Sequence, residues 1–341
     1  MSYRQNAIDR VSLTMRRGLR RLAFLFVTLV GGLVLLAACA APGPGRAGDP
    51  PGGSPEDTPD TYQLPTPGGD WDFEAEHTGD APSGTGSIDI AGIGSYEFDA
   101  TEVQTVRPDI FQESHFSLFD ILVYLSEQGE IDLEYHFDEQ MDTHVIDSLD
   151  GQSGWWYEAY YSAGWYENNA FRMDKYPYKD NMQIRLFQER QGRIDDIYQS
   201  FREETERLEQ NDGRVVVPAV TIQGPDTTWR FEDVVVEAHG VRDDVLQPDV
   251  ITALDILLSL GEQGELLNIE LTWYEEIAGA DPVDSYWVSA IEDAQSAGGC
   301  GFVYEVGARQ FAGFRGAHIH IPTDVRALVS PEYALWFWIC L

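Results

Sequence analysis

The chain of 341 residues carries 58 Asp and Glu against 22 Lys and Arg, a formal net charge of −36. Such a field repels phosphate and excludes nucleic acid as a main partner. Hydrophobic residues at 43% and aromatics at 12% are too many for a chain that stays unfolded, so at least one packed domain is required.

Arg4, Arg10, Arg16, Arg17, Arg20 and Arg21 precede an uncharged stretch from Leu22 to Ala38. A basic start followed by a short apolar run is the pattern of a secretory signal, and the run is shorter than the ~20 residues that span a bilayer as a helix. It ends Leu36-Ala37-Ala38-Cys39, which resembles the bacterial lipobox. Small residues there fit the signal peptidase, and the Cys39 thiol takes a diacylglycerol before cleavage. Residues 1–38 are therefore expected to be a lipoprotein signal peptide and Cys39 the lipidated residue. Cleavage removes six bases and one acid, taking the net charge from −36 to −41. Ala40 lacks the aspartate associated with retention at an inner membrane, so the cell membrane and an outer membrane both remain open.

From 39 to 85 a disordered tether is expected, because eight of the seventeen prolines lie between Pro42 and Pro67 among Gly, Asp and Thr. Its Pro-rich part would reach roughly 90 Å if extended at ~3.1 Å per residue.

A repeat organises the remainder. Ser117 to Glu130 reads SLFDILVYLSEQGE and Thr252 to Glu265 reads TALDILLSLGEQGE, with eight of fourteen positions identical at an offset of 135. Apolar residues at Leu118, Ile121, Leu122 and Leu125, and at Ile256, Leu257 and Leu260, recur at helical spacing. Ser117 and Thr252 stand at N-cap positions, and Gly129 and Gly264 terminate the helices. Before the first helix come extended stretches at 87–91 and 96–106, and after it strands at 131–137, 143–149, 155–161 and 182–187. The second copy has stretches at 215–223 and 229–238, then strands at 267–274, 286–291, 302–306 and 334–340. Between the copies Ile194, Ile197, Tyr198, Phe201 and Leu208 make an amphipathic stripe. The expected fold class is α+β: two tandem β-grasp-like modules, 86–188 and 214–341, joined by an amphipathic linker helix at 189–213.

Asp120-Ile121-Leu122, Ile146-Asp147-Ser148-Leu149-Asp150-Gly151, Trp155-Trp156-Tyr157 and Lys179-Asp180-Asn181-Met182-Gln183-Ile184 together resemble the bacterial family related to the C-terminal lobe of transcobalamin. The second copy keeps the helix but reads Ser289-Ala290-Ile291-Glu292 and Phe302-Val303-Tyr304 at the later elements, and is the more divergent. The resemblance implies the helix-over-sheet fold on a surface protein. Cobalamin is the partner of only some relatives, so no cofactor follows from it.

Seven aromatics crowd positions 155–166. Strand alternation sends Trp155 and Tyr157 to one face and Trp156 and Tyr160 to the other. The second set, with Tyr161, Trp165 and Tyr166, forms either a platform for a sugar, corrin ring or peptide aromatic, or a face covered by the linker helix or the second module. Cys300 and Cys340 are a disulfide candidate once Cys39 carries lipid. His318 and His320 are weak candidates for a metal, with Asp324 as a third ligand. Asp138, Glu139, Asp142, Asp147 and Asp150 read as solvated charge, their spacing not being that of an EF-hand loop. No phosphate loop, serine elbow, H-E-x-x-H or CxxC occurs, and no enzyme is supported. These readings imply a non-catalytic, lipid-anchored extracytoplasmic protein with a small-molecule, glycan or peptide ligand. A surface-assembly protein binding another protein is the alternative, and a metal-dependent hydrolase using His318 and His320 a weaker one.

Overall fold

A computed structural model describes residues 61–63, 77–160, 170–275, 283–312 and 321–340. They belong to one compact unit that begins at Thr58. Strand β1 (Thr61–Gln63) comes first. The first half contains β2 (Thr85–Ile90), β3 (Gly94–Asp99), helix α1 (Leu118–Glu127), β4 (Leu133–Asp138), β5 (Thr143–Leu149), β6 (Trp155–Tyr160) and β7 (Gln183–Gln188). Helix α2 (Gln191–Gln210) follows. The second half contains β8 (Val215–Gln223), β9 (Thr228–Val236), α3 (Ala253–Glu262), β10 (Ile269–Tyr274), β11 (Ser285–Ile291), β12 (Ala294–Gln295), β13 (Cys300–Gly307) and β14 (Tyr333–Cys340).

The expected α+β class is observed, and the two halves share a strand plan. One sheet runs β3-β2-β7-β6 with β2 and β7 parallel; the other runs β9-β8-β14-β13 with β8 and β14 parallel. Each half adds an antiparallel hairpin, β4 with β5 and β10 with β11. The hairpins carry the same irregularity, between Glu134 and Tyr135 in one and between Glu270 and Leu271 in the other.

The helices start and stop where their sequences dictate. The Ser117 backbone N–H donates to Asp120 Oδ2 at 2.6 Å, and the Thr252 N–H to Asp255 Oδ2 at 2.6 Å, closing a capping box on each helix. Gly129 and Gly264 both lie at φ +76°, a conformation in which a side chain would be strained. Leu118, Phe119, Ile121, Leu122 and Leu125 pack into one hydrophobic cluster, and Leu254, Ile256, Leu257 and Leu260 into a second.

The halves meet through a reciprocal contact. The Gln112 N–H donates to the Val245 carbonyl at 2.9 Å, and the Gln247 N–H to the Ile110 carbonyl at 2.9 Å. Gln112 Nε2 donates to the Leu246 carbonyl at 3.1 Å, and Gln247 Nε2 to the Phe111 carbonyl at 2.9 Å. Every partner pair is related by the offset of 135 seen in the helices. This is the self-complementary pattern of a twofold dimer interface, made here inside one chain. The first cluster also takes in Val245, Leu246, Val283, Ile321 and Val325 from the second half, so the halves share apolar surface at this contact.

The tether expected through 85 enters the fold early. β1 pairs antiparallel with β10, Thr61 opposite Thr272. His77 stacks on Trp273 at 5.2 Å, and the Gly79 N–H donates to Asp244 at 2.7 Å. Asp180 then receives the N–H groups of Ser83 and Gly84 at 3.1 Å. Burial of Trp273 and these carboxylate acceptors hold the segment down, where composition alone suggested a free chain.

Candidate functional site

Each half is clamped by a buried arginine that the sequence patterns did not bring out. Arg107 donates to Asp109 at 2.7 Å, Asp142 at 3.0 Å and Asp174 at 3.0 Å. Asp174 also accepts from Thr143 Oγ1 at 2.6 Å and the His144 N–H at 2.9 Å. In the second half Arg242 donates to Asp244 at 2.9 Å and Asp324 at 3.0 Å, and Asp324 accepts the Tyr286 N–H at 2.9 Å. The arginines lie over Phe137 and Trp273, each 5.3 Å from the ring centre. Asp142 and Asp284, which open the second strand of each hairpin, both take a positive φ, 49° and 44°. Burial opposes ionisation of Asp174, but the hydrogen bond from His144 and the charge of Arg107 outweigh it and hold its pKa at about 2. Asp324 Oδ2 is thus engaged by Arg242 and the Tyr286 N–H, while the histidines of the weak metal reading, His318 and His320, lie outside the described residues. Among the described residues no cluster of three His, Cys, Asp or Glu side chains is placed to hold a metal.

Lys179 ties the first half to the second clamp. Its Nζ donates to the Val283 carbonyl and, at 3.0 Å, to Ser285 Oγ. Burial and the neighbouring Arg242 push its pKa down to about 7.

The outer face of β6, read either as a platform or as a covered face, is covered at Trp156. Trp156 is only 6% exposed and meets Tyr198 and Phe201 of α2, with ring centres 6.1 and 6.5 Å apart. Helix α2 covers this face because Tyr198 and Phe201 lie on its apolar stripe, and Arg172 pins the helix through Glu204 and the Phe201 carbonyl. Tyr160 hydrogen-bonds Gln183 through its hydroxyl. Tyr161, Trp165 and Tyr166, like Cys39, His318 and His320, lie outside the described residues. Cys300 and Cys340 face each other across β13 and β14 and are joined by a disulfide. Of the acids read as surface charge, Asp142 is drawn into the first clamp, and Asp147 pairs with His136 at 2.8 Å.

A mostly apolar concavity lies between β11 and β13 of the second half. It is lined by Tyr286, Trp287, Val288, Phe302, Val303, Tyr304 and Trp336, and its internal free space, about 20 Å³, is enough for a water molecule. Trp336 is 1% exposed, and its indole N–H is buried without a hydrogen-bond partner among the described residues. A buried donor of this kind calls for an acceptor. The corresponding position of the first half, between β5 and β6, holds a concavity of the same size, lined by His144, Ile146, Trp156 and Tyr157 and by Tyr198 and Phe201 of α2. Copy two shows no dense aromatic run at 301–306, so the strand-local reading favoured copy one. The signal for the cleft was spread over three strands far apart in the chain, at Trp287, Phe302, Tyr304 and Trp336. The clamps had a signal that could have been read: Arg-x-Asp at 107–109 and again at 242–244, offset by 135.

Comparison of the chain with protein-family models, curated proteins and solved structures found no match.

Proposed function

We propose that this chain is a lipid-anchored, extracytoplasmic binding protein without catalytic activity, and that its ligand site is the cleft between β11 and β13. The observation that carries the reading is the contrast between the two clefts. The same position is walled by aromatic side chains of α2 in the first half, whereas among the described residues no helix lines it in the second, where the Trp336 N–H on its wall has no partner. The wall chemistry favours an uncharged, largely apolar or flat ligand bearing one hydrogen-bond acceptor. Of the classes left open by the sequence, a peptide aromatic has that character. The transcobalamin-like resemblance agrees with this reading and adds no ligand of its own. The anchor rests on Leu36-Ala37-Ala38-Cys39 after the basic start.

The uncharged dye N-phenyl-1-naphthylamine tests the cleft. Saturable binding of one dye per chain with quenching of tryptophan emission is expected, and Val303→Trp, which fills the cleft, abolishes it. Binding that survives Val303→Trp, or no binding, overturns the site. Cys39→Ser in the expressed precursor tests the anchor: the protein should leave the membrane fraction and lose its incorporated fatty acid. Retention of both refutes lipidation.

A further inference from the structure

Strand β4 is the counterpart of β10, yet the two lie in opposite surroundings. Both carry the same bulge, and both place an aromatic ring beneath a clamp arginine. β10 lies between β11 and β1, and Leu271, Thr272 and Trp273 on it are buried. β4 pairs only with β5, and among the described residues nothing pairs with its outer edge. At the positions matching Leu271 and Trp273, Tyr135 is 39% and Phe137 43% exposed. An unpaired edge bearing exposed aromatics is a template for an added strand.

We infer that the outer edge of β4 receives an extended, cationic segment of a partner protein by strand addition, as β10 receives β1. Charge chooses the occupant. Asp132, Glu134, Asp138 and Glu139 line β4 and its ends. His136, the one basic side chain within the strand, is already paired with Asp147. A second copy of this chain brings a net charge of −36 and is repelled. The same carboxylates that guard the edge against self-pairing attract a strand carrying Lys or Arg on alternate residues. Tyr135 and Phe137 give such side chains aromatic faces on which to lie. This site lies apart from the β11–β13 cleft, and either can fail without the other.

The test leaves the protein unaltered. Three fluorescent seven-residue peptides are titrated onto the full chain: alternating Lys and Thr, alternating Glu and Thr, and the Lys peptide with every second amide N-methylated. The Lys peptide should bind saturably, and the Glu and N-methylated peptides at least about tenfold more weakly, because one lacks the charge and the other the backbone donors. Hydrogen exchange should slow at the amides of 134–138 when the Lys peptide is bound. Equal binding of the N-methylated peptide would mean adsorption by charge alone. That result, no binding, or protection confined to other strands would overturn the inference. So would a concentration-dependent dimer that protects β4, which would make a second copy the occupant.

Discussion

Removing the charge of Asp174 should cost the protein a large part of its stability, and the cost should shrink when Arg107 is removed with it. Asp174 is fully buried and accepts from Arg107 at 3.0 Å, from Thr143 at 2.6 Å and from the His144 N–H at 2.9 Å. Breaking a buried, hydrogen-bonded ion pair costs about 3–5 kcal/mol, because the remaining charge is left uncompensated. In Asp174→Asn, Arg107 keeps Asp109 and Asp142, which are 60% and 33% exposed, so a loss near the lower end, about 3 kcal/mol, is expected. Arg107→Met strands a carboxylate with no exposure at all, and about 4 kcal/mol is expected. The double variant removes both charges and should fall short of the sum by at least about 1.5 kcal/mol. Equilibrium urea unfolding of the four proteins near neutral pH and at fixed salt measures the cycle. Additive losses, within about 0.5 kcal/mol, would refute the clamp as a coupled unit. The low pKa of Asp174 adds a second reading of the same cycle. Its stabilising contribution is present above the unfolded value of 3.8 and is lost as pH falls through about 2, and Asp174→Asn should remove that part of the acid transition.

Three further outcomes follow. Burial opposes the charged form of His239, but the hydrogen bond to Asp255 and the charges of Asp255 and Glu262 outweigh it and raise its pKa above 6.5. Its contribution is complete below 6.5 and lost as pH rises through the higher folded value, so the stability gap between wild type and His239→Gln should close over that window in urea titrations. Lys179 has the opposite sense: the unfolded chain binds its proton more tightly, so wild-type stability should rise relative to Lys179→Met between pH 7 and 10.5, and a flat difference contradicts its burial. Reducing the Cys300–Cys340 bridge, which spans 40 residues, should cost about 4 kcal/mol by chain entropy, read as a lower urea midpoint than that of the oxidised protein.

Much of this fold was legible because local chemistry and tertiary role agree. The helices show their apolar stripes, Ser117 and Thr252 their caps, and Gly129 and Gly264 their ends, and each is a signal within one turn of chain. The pairing of Cys300 with Cys340 fitted the cysteine count and the neighbouring strands. The outer face of β6 was left with two readings because alternation tells which residues share a face and not what lies on that face. Tyr198 and Phe201 were read correctly as a helix stripe, but their target, Trp156, is over 40 residues away. The tether was misread past Thr61 because a short edge strand needs almost no sequence signal when its partner, β10, supplies the register. The clamps went unseen because Arg107 and Asp174 mean little singly in a chain so rich in carboxylates. Only the repeat offset makes the pattern visible.

Both functional readings come from comparing two halves built on one plan, the concavity free of a helix against the one walled by α2 and the bare edge against the covered one. Native-state hydrogen exchange at the amides of Gln112 and Gln247 tests that plan most directly. Each donates at 2.9 Å to a carbonyl of the opposite half, so one separation of the halves breaks both bonds. Duplication about this contact requires the two amides to open with the same free energy, within about 0.5 kcal/mol, and to lose protection together in Gln112→Ala. Unequal opening energies, or a Gln247 amide indifferent to that substitution, would contradict it.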